Sequence, residues 1–137
     1  MKNNYLLLKK KHEERINNFK MIFAFSEEQF KDGLKELNTT EENLISVFGG
    51  GFIRKEDKED YLKMFKDISK EEKDLFLNEK DLYDAFYYEL GNHEYSYTQD
   101  ETDTLQSLGF ESWEKLNDFQ KAIFEKAKTK YLNSQIW

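Results

Sequence analysis

The segment NEKDLYDAFYYELG, residues 78–91, decides the fold because it predicts an α-helix with one apolar side. Leu82, Phe86 and Leu90 follow one another at steps of four residues, and side chains at that spacing lie on the same face of a helix. We therefore predict a helix whose apolar face packs into the core. It is either continuous with the preceding segment or starts anew at Asn78.

Helical patterns continue on both sides of this segment. Apolar residues three and four positions apart predict a first helix over residues 3–18 and a last helix over residues 119–132. The sequence SEEQ, beginning at Ser26, predicts a capping box that opens a helix over residues 27–37. A second box, SKEE from Ser69, predicts that two further helices divide there.

Two short apolar segments predict strands. MIFAF at 21–25 and LISVF at 44–48 are too short for helices and rich in aromatic and β-branched residues. Residues 52–53 extend the second strand beyond three glycines, through either a crossover or a hairpin. The sequence therefore predicts an α+β fold, a mainly helical single domain with a small two- or three-stranded sheet. Residues 1–20 are predicted to form a helical extension and residues 21–137 the compact body.

The composition is typical of a folded protein without thiol chemistry. Of the 137 residues, 38% are hydrophobic, 36% charged and 16% aromatic, a balance that favours a packed domain over disorder. The chain has no cysteine, which excludes disulfides and thiolate metal ligands. Its apolar runs are too short for a membrane span and its first residues do not fit a signal peptide. We predict a cytoplasmic protein with no membrane partner.

The net charge of −7 is unevenly distributed. Residues 1–20 hold six Lys and Arg against two Glu, a charge of +4, so the remaining residues sum to −11. Because phosphate binding requires clustered cations, direct nucleic-acid binding is not predicted for the acidic part. The basic cluster of Lys9, Lys10, Lys11 and Arg15 is interpreted as the solvated face of the first helix, with a nucleic-acid-binding arm as the alternative.

The strongest charge pattern lies in residues 79–103. This segment holds eight Asp and Glu against Lys80 alone, a charge of −7, together with five tyrosines. A solvated acidic face explains the pattern without any partner. The sharper hypothesis is a contact surface for a basic protein groove, because carboxylates bind Arg and Lys while tyrosines supply rigid contact area. The predicted contact residues are Glu89, Glu94, Tyr95, Tyr97, Asp100 and Asp103.

The glycine run is a second candidate site. Gly49, Gly50 and Gly51 lie between a predicted strand and a predicted helix, close to Arg54. Exposed amides and a helix amino end favour anions, so this turn could bind a nucleotide phosphate. The sequence lacks the Lys-Ser/Thr pair of a P-loop and the spaced glycines of a dinucleotide-binding fingerprint. A purely structural turn is the alternative.

Neither a metal centre nor a catalytic site is predicted. Glu89 and His93 are four residues apart, but Gly91 and Asn92 are expected to break the helix between them. The chain has two histidines and no calcium-loop spacing, so we predict no metal and no cofactor. A loop histidine with scattered serines places no nucleophile beside a base, so the protein is predicted not to be an enzyme.

Three segments, FAFSEEQF, SVFGGGFIRKED and YYELGNHEYSYTQDETDTLQSLGF, resemble an uncharacterised family of small bacteriophage and prophage proteins. The resemblance runs from about residue 22 to residue 110, and its most specific parts are GGGFI and the block from YELGNHEY to DTLQSLG. It implies a phage protein that acts in the host cell, where small acidic proteins of this kind often inhibit host defence. It implies no catalytic residue.

Three functions follow from these observations. The first is a non-enzymatic inhibitor, similar to anti-CRISPR proteins, which binds a basic nucleic-acid-binding host protein through the acidic, tyrosine-rich surface. The second is a protein that binds a small anionic ligand or nucleotide at Gly49 to Gly51 with Arg54. The third is a structural or assembly protein that forms a homo-oligomer.

Overall fold

A computed structural model describes residues 2–47 and 50–135. Across these residues it contains seven α-helices and one small antiparallel sheet, which confirms the predicted mainly helical α+β fold. The helices are α1 (Asn4–Asn17), α2 (Glu27–Glu36), α3 (Lys58–Leu75), α4 (Glu79–Asn92), α5 (Tyr95–Thr98), α6 (Thr102–Ser107) and α7 (Asp118–Ser134). The strands are β1 (Ile22–Phe23), β2 (Leu44–Val47) and β3 (Gly51–Arg54).

The chain divides into two compact units. The first unit comprises Met1–Lys11 and Ser69–Trp137, and the second comprises His12–Ile68. This division differs from the predicted boundary at residue 20. The first residues of α1 are not an extension, because Tyr5 is 4% exposed and belongs to the core of the first unit.

The second unit contains the sheet, in which β3 lies between β1 and β2. Strands β2 and β3 are antiparallel, with Ile45 opposite Ile53. Of the two connections that the sequence left open, a crossover and a hairpin, the structure has the hairpin. Ile53 is fully buried. Strand β1 ends at Phe23 and is shorter than predicted. Phe25, at the end of the predicted strand, is 92% exposed. Phe48 of the predicted second strand lies outside the described residues.

Helix α2 packs on β1 through a glycine. Ser26 accepts a hydrogen bond from the amide of Gln29 at 3.2 Å, as the capping box predicts. The Gln29 side chain accepts from the amide of Phe25 at 2.8 Å rather than from that of Ser26, so the box is half formed. One turn later, Gly33 is buried against the side chain of Ile22.

Two helical glycines provide a matched prediction. We expect Gly33→Ala to lower the free energy of unfolding by about 1–3 kcal/mol, because overpacking in a filled site is destabilising. Its new Cβ would lie 2.7–2.9 Å from three side-chain atoms of Ile22. We expect Gly91→Ala to raise the same quantity by about 0.5–1 kcal/mol, because alanine is the better helix former. Its Cβ would meet only the Tyr131 ring, at 3.6 Å.

Urea denaturation followed by circular dichroism measures both variants against the wild type. The opposite signs are the informative result, since helix propensity alone predicts that both variants are more stable. A stabilised Gly33→Ala variant would show that α2 does not pack on β1 as described.

The first unit is built around α4, as the opening segment predicts. Leu82, Phe86 and Leu90 are all 0% exposed, and the Phe86 ring meets that of Phe124 on α7 edge to face at 5.2 Å. Asn78 caps α4 by accepting from the Asp81 amide at 3.1 Å, so α4 starts anew rather than continuing α3.

The predicted division at Ser69 is wrong. Helix α3 runs without interruption through this residue to Leu75. Ser69 is exposed, and the four residues that follow it are lysines and glutamates, which are strong helix formers. A capping motif within such a sequence does not end the helix, because the backbone amides already have partners in the preceding turn.

Candidate functional site

The acidic segment, residues 79–103, folds into the whole of α4, the one-turn helix α5 and the start of α6. Helix α5 is bracketed by Glu94 and Gln99, whose φ angles of 53° and 57° lie in the left-handed region. Residues other than glycine adopt that region at a cost, and such residues concentrate at functional sites. The chain therefore turns sharply on both sides of Tyr95–Thr98.

Four of the six predicted contact residues lie on the surface of this region. Glu94, Asp100 and Asp103 are exposed, and Tyr97 is 84% exposed. We call these four residues the acidic face. None of its three carboxylates forms an ion pair with a basic side chain anywhere in residues 2–47 and 50–135. Its charge is therefore available to a partner.

Asp100 is fixed in its ionised form. Its carboxylate accepts a hydrogen bond from the amide of Thr102 at 2.9 Å, at the start of α6. Hydrogen bonds from the Thr102 hydroxyl and amide lower the pKa of Asp100, because they stabilise the charged form. The backbone amide of Asp100 in turn donates to the hydroxyl of Thr98 at 3.2 Å. The acidic face therefore keeps this negative charge across the physiological pH range.

Glu89 and Tyr95 are buried, contrary to the prediction for them. They were predicted as surface contacts, but Glu89 is 1% exposed and Tyr95 is 7% exposed. Glu89 lies on the side of α4 that carries Leu82 and Phe86, seven and three residues earlier, so the helix turns it inward. Neither side chain can meet a partner without rearrangement of the first unit.

Glu89 instead forms the centre of a buried polar cluster. The hydroxyl of Tyr5 donates to its Oε1 atom at 3.1 Å, and the hydroxyl of Ser107 donates to its Oε2 atom at 3.1 Å. The amide of Asn92 lies 3.4 Å from Oε2. The backbone carbonyl of Glu89 accepts from the hydroxyl of Thr104 at 3.3 Å. The carboxylate therefore joins α1, α4 and α6 within the core of the first unit.

Two basic side chains complete this cluster. Lys9 Nζ lies 3.7 Å from Glu89 Oε1, and His93 Nε2 lies 3.4 Å from Glu89 Oε2 without the geometry of a hydrogen bond. The expectation that Gly91 and Asn92 break the helix is wrong, because α4 continues to Asn92. Glu89 and His93 therefore share a helix face after all.

The cluster shifts the titration of its neighbours. Burial, followed by the charge and hydrogen bond of Glu89, raises the pKa of the Tyr5 hydroxyl, so it stays protonated as a donor. Burial also raises the pKa of Glu72, and Lys9 opposes that shift. With the Glu89 carboxylate closed off from solvent and held by hydroxyls on both oxygens, the arrangement suits a structural role better than proton transfer.

A cleft of about 640 Å³ opens in the first unit. Its aromatic walls are Tyr83, Tyr87 and Tyr88 of α4 and Tyr131 of α7, and we call it the tyrosine cleft. The rings of Tyr83 and Tyr87 stack at 6.2 Å, and Tyr87 meets Tyr131 edge to face at 6.2 Å. The remaining lining residues are polar or small: Asn3, Asp84, Gly91, Asn92, Lys130 and Gln135.

The sequence contains only part of the signal for this cleft. Tyr83 and Tyr87 are four residues apart, so their position on one helix face was predictable. Tyr131 is more than 40 residues away along the chain and comes into contact with them only because α7 packs on α4. The tyrosines of α4 were assigned to the acidic surface, whereas the structure places them around a separate concave site.

The glycine turn forms part of the sheet of the second unit. Gly50 has a φ of 81°, which favours glycine, and Gly51 is buried within β3. The Arg54 guanidinium is held by both carboxylate oxygens of Asp57, at 2.7 and 3.1 Å, and lies 3.4 Å from Glu56. Gly49 lies outside the described residues. Because Arg54 already binds carboxylates of its own chain, this geometry does not favour an anion site.

Within residues 2–47 and 50–135, no group of three or more His, Cys, Asp or Glu is arranged to hold a metal ion. Among the helices in these ranges, none has the length and apolar composition needed to cross a bilayer.

The fold and these surfaces define a mainly helical α+β protein with a small sheet and two candidate binding surfaces in its first unit. The family model of DUF7659, described as a family of unknown function, matches residues 4–132, and the chain belongs to that family. Comparisons with curated proteins and with solved structures found no match.

Proposed function

We propose that the protein is a non-enzymatic inhibitor that binds a basic, nucleic-acid-binding protein through the acidic face. One observation carries this proposal: Tyr97 is 84% exposed in the same short segment as three exposed carboxylates that have no basic partner among the described residues. Exposed tyrosine with uncompensated negative charge is suited to a groove lined by Arg and Lys.

The physical basis of this function is competition for a phosphate-binding surface. Arg and Lys side chains that bind phosphate oxygens also bind carboxylate oxygens, in the same charge-assisted geometry. A partner occupied by Glu94, Asp100 and Asp103 would have fewer cations left for nucleic acid. Tyr97 adds contact area with little loss of conformational freedom, since its side chain has two rotatable bonds.

The proposed biological setting is the cytoplasm of a bacterial host. This part rests on the resemblance of FAFSEEQF, GGGFI and YELGNHEY to small bacteriophage proteins, and on the frequency with which such proteins act against host defence. An anti-CRISPR or related counter-defence role follows by analogy. The acidic face favours a basic protein as the partner, and the retention experiment below is designed to identify that protein.

Charge reversal tests the proposal. The protein is immobilised and exposed to nuclease-treated host lysate at low and high salt, and the retained proteins are identified by mass spectrometry. We expect wild type to retain a basic nucleic-acid-binding protein at low salt and to lose it at high salt, because exposed charges are screened over about 8 Å at physiological ionic strength. The Asp100→Lys/Asp103→Lys variant is expected to bind it at least tenfold more weakly.

A matched double variant controls for net charge. Glu111 and Glu114 are exposed in the same unit and lie outside the acidic face, so Glu111→Lys/Glu114→Lys changes the total charge equally. Binding that survives in this control and fails in the Asp100→Lys/Asp103→Lys variant supports the proposal. Equal binding by both variants would refute the assignment of the acidic face. Equal loss of binding in both would show that binding depends on the total charge and not on the acidic face.

A further inference from the structure

We propose that the tyrosine cleft is a binding site for a small planar aromatic anion of the size of a mononucleotide. The cleft is distinct from the acidic face and from the glycine turn. Its volume of about 640 Å³ lies within the range of about 300–1,000 Å³ that is usual for small-molecule sites. Such sites combine apolar or aromatic walls with a few convergent polar groups, as this one does.

The walls favour a flat ring as the occupant. Three tyrosines of α4 and one of α7 line the cleft, and every nucleobase presents a face that stacks on an aromatic side chain. Burial, followed by the proximity of Tyr87 and Asp84, raises the pKa of Tyr83, so this phenol stays neutral and can donate a hydrogen bond. Asn3, Asn92 and Gln135 add amide groups that can pair with the edge of a heterocycle.

The charges of the lining residues favour an anion. Asp84 is neutralised within the chain, because its carboxylate lies 2.7 Å from Lys80 Nζ. Lys130 is exposed, and no carboxylate in the described ranges lies within ion-pair distance of it. The uncompensated charge of the cleft is therefore positive in a chain whose net charge is −7. A phosphate or carboxylate attached to the ring would meet Lys130.

Isothermal titration calorimetry with three probes tests each part of this proposal. Adenosine 5′-monophosphate carries both the ring and the anion, adenosine carries only the ring, and inorganic phosphate carries only the anion. We expect the nucleotide to bind and adenosine to bind more weakly, while phosphate alone gives no measurable heat. Absence of nucleotide binding up to millimolar concentration, for the adenine, guanine, cytosine and uracil forms alike, would overturn the proposal.

Two variants place the binding in the cleft. Lys130→Ala is expected to weaken nucleotide binding about tenfold and to leave adenosine binding unchanged, because a charge-assisted hydrogen bond is lost. Lys126→Ala is the matched control, since Lys126 is also exposed on α7 but does not line the cleft. Gly91→Leu is expected to abolish binding of both probes, because its side chain would extend beside the Tyr131 ring.

The fold of each variant is checked by circular dichroism and urea denaturation before titration. Nucleotide binding that is unchanged in folded Lys130→Ala and Gly91→Leu would place the ligand elsewhere and overturn the assignment. These experiments do not involve the acidic face, so failure of the cleft proposal leaves the inhibitor proposal intact, and the reverse also holds.

Discussion

Replacement of Glu89 by alanine is expected to lower the free energy of unfolding by about 3–5 kcal/mol, because removing one partner of a buried charged group leaves the others unsatisfied. The carboxylate is 1% exposed and accepts hydrogen bonds from Tyr5 and Ser107. In the variant, the Tyr5 hydroxyl loses its acceptor within the core. The Ser107 hydroxyl can still donate to the backbone carbonyl of Thr104, which lies 2.7 Å away. Lys9 contributes less, since its side chain is 36% exposed and can turn towards water.

Urea denaturation of three variants separates the origins of this effect. Glu111→Ala removes an exposed glutamate from the same unit, and its free energy of unfolding should change by no more than about 0.5 kcal/mol. Glu89→Gln keeps one oxygen acceptor and the side-chain volume, so its loss should be intermediate. If Glu89→Ala is no less stable than Glu111→Ala, the described cluster does not stabilise the fold.

A double-mutant cycle with Tyr5→Phe isolates the bond between helices α1 and α4. The phenol donates to Glu89 at 3.1 Å, so the two substitutions should be strongly non-additive. Additive losses would show that Tyr5 acts only through packing against Phe76, whose ring lies 6.0 Å away. The cycle therefore distinguishes a hydrogen-bonded α1 from one held by apolar contacts alone.

The elements that the sequence predicted well are those with a long apolar period or a local cap. Helices α1, α4 and α7 follow from periodicity, and strands β2 and β3 follow from aromatic and β-branched composition, although their pairing did not. The Ser26 cap follows from local chemistry. The capping box at Ser69 wrongly predicted a helix end, because the helix propensity of the surrounding sequence outweighs local capping and α3 continues through this residue.

The position of Glu89 shows why the candidate site was harder to predict than the fold. A glutamate three residues after Phe86 lies on the buried face of α4, and this spacing was visible in the sequence. Charge composition nevertheless assigned Glu89 to the surface, because glutamate is almost never fully buried unless it is paired. Its partners Tyr5 and Ser107 lie on other helices, and only tertiary packing brings them together.

Truncation of Phe86 to alanine is expected to cost about 3–5 kcal/mol, the range for removing a buried aromatic ring. The ring is 0% exposed and meets Phe124 at 5.2 Å and Phe110 at 5.8 Å. The loss includes a cavity that the neighbouring rings can fill only in part. Because Phe86 lies on the helix that also carries Tyr83 and Tyr87, the same substitution should loosen the tyrosine cleft.

Phe119→Ala is the matched control, since Phe119 belongs to the same unit and is 45% exposed. The free energy of unfolding of this variant should fall by less than about 1 kcal/mol, because a half-exposed ring contributes little buried apolar area to the fold. Similar losses for the two variants would contradict a core centred on α4. A large loss for Phe86→Ala alone, accompanied by weaker binding of adenosine 5′-monophosphate, would connect the helix predicted from residues 78–91 directly to the proposed binding site.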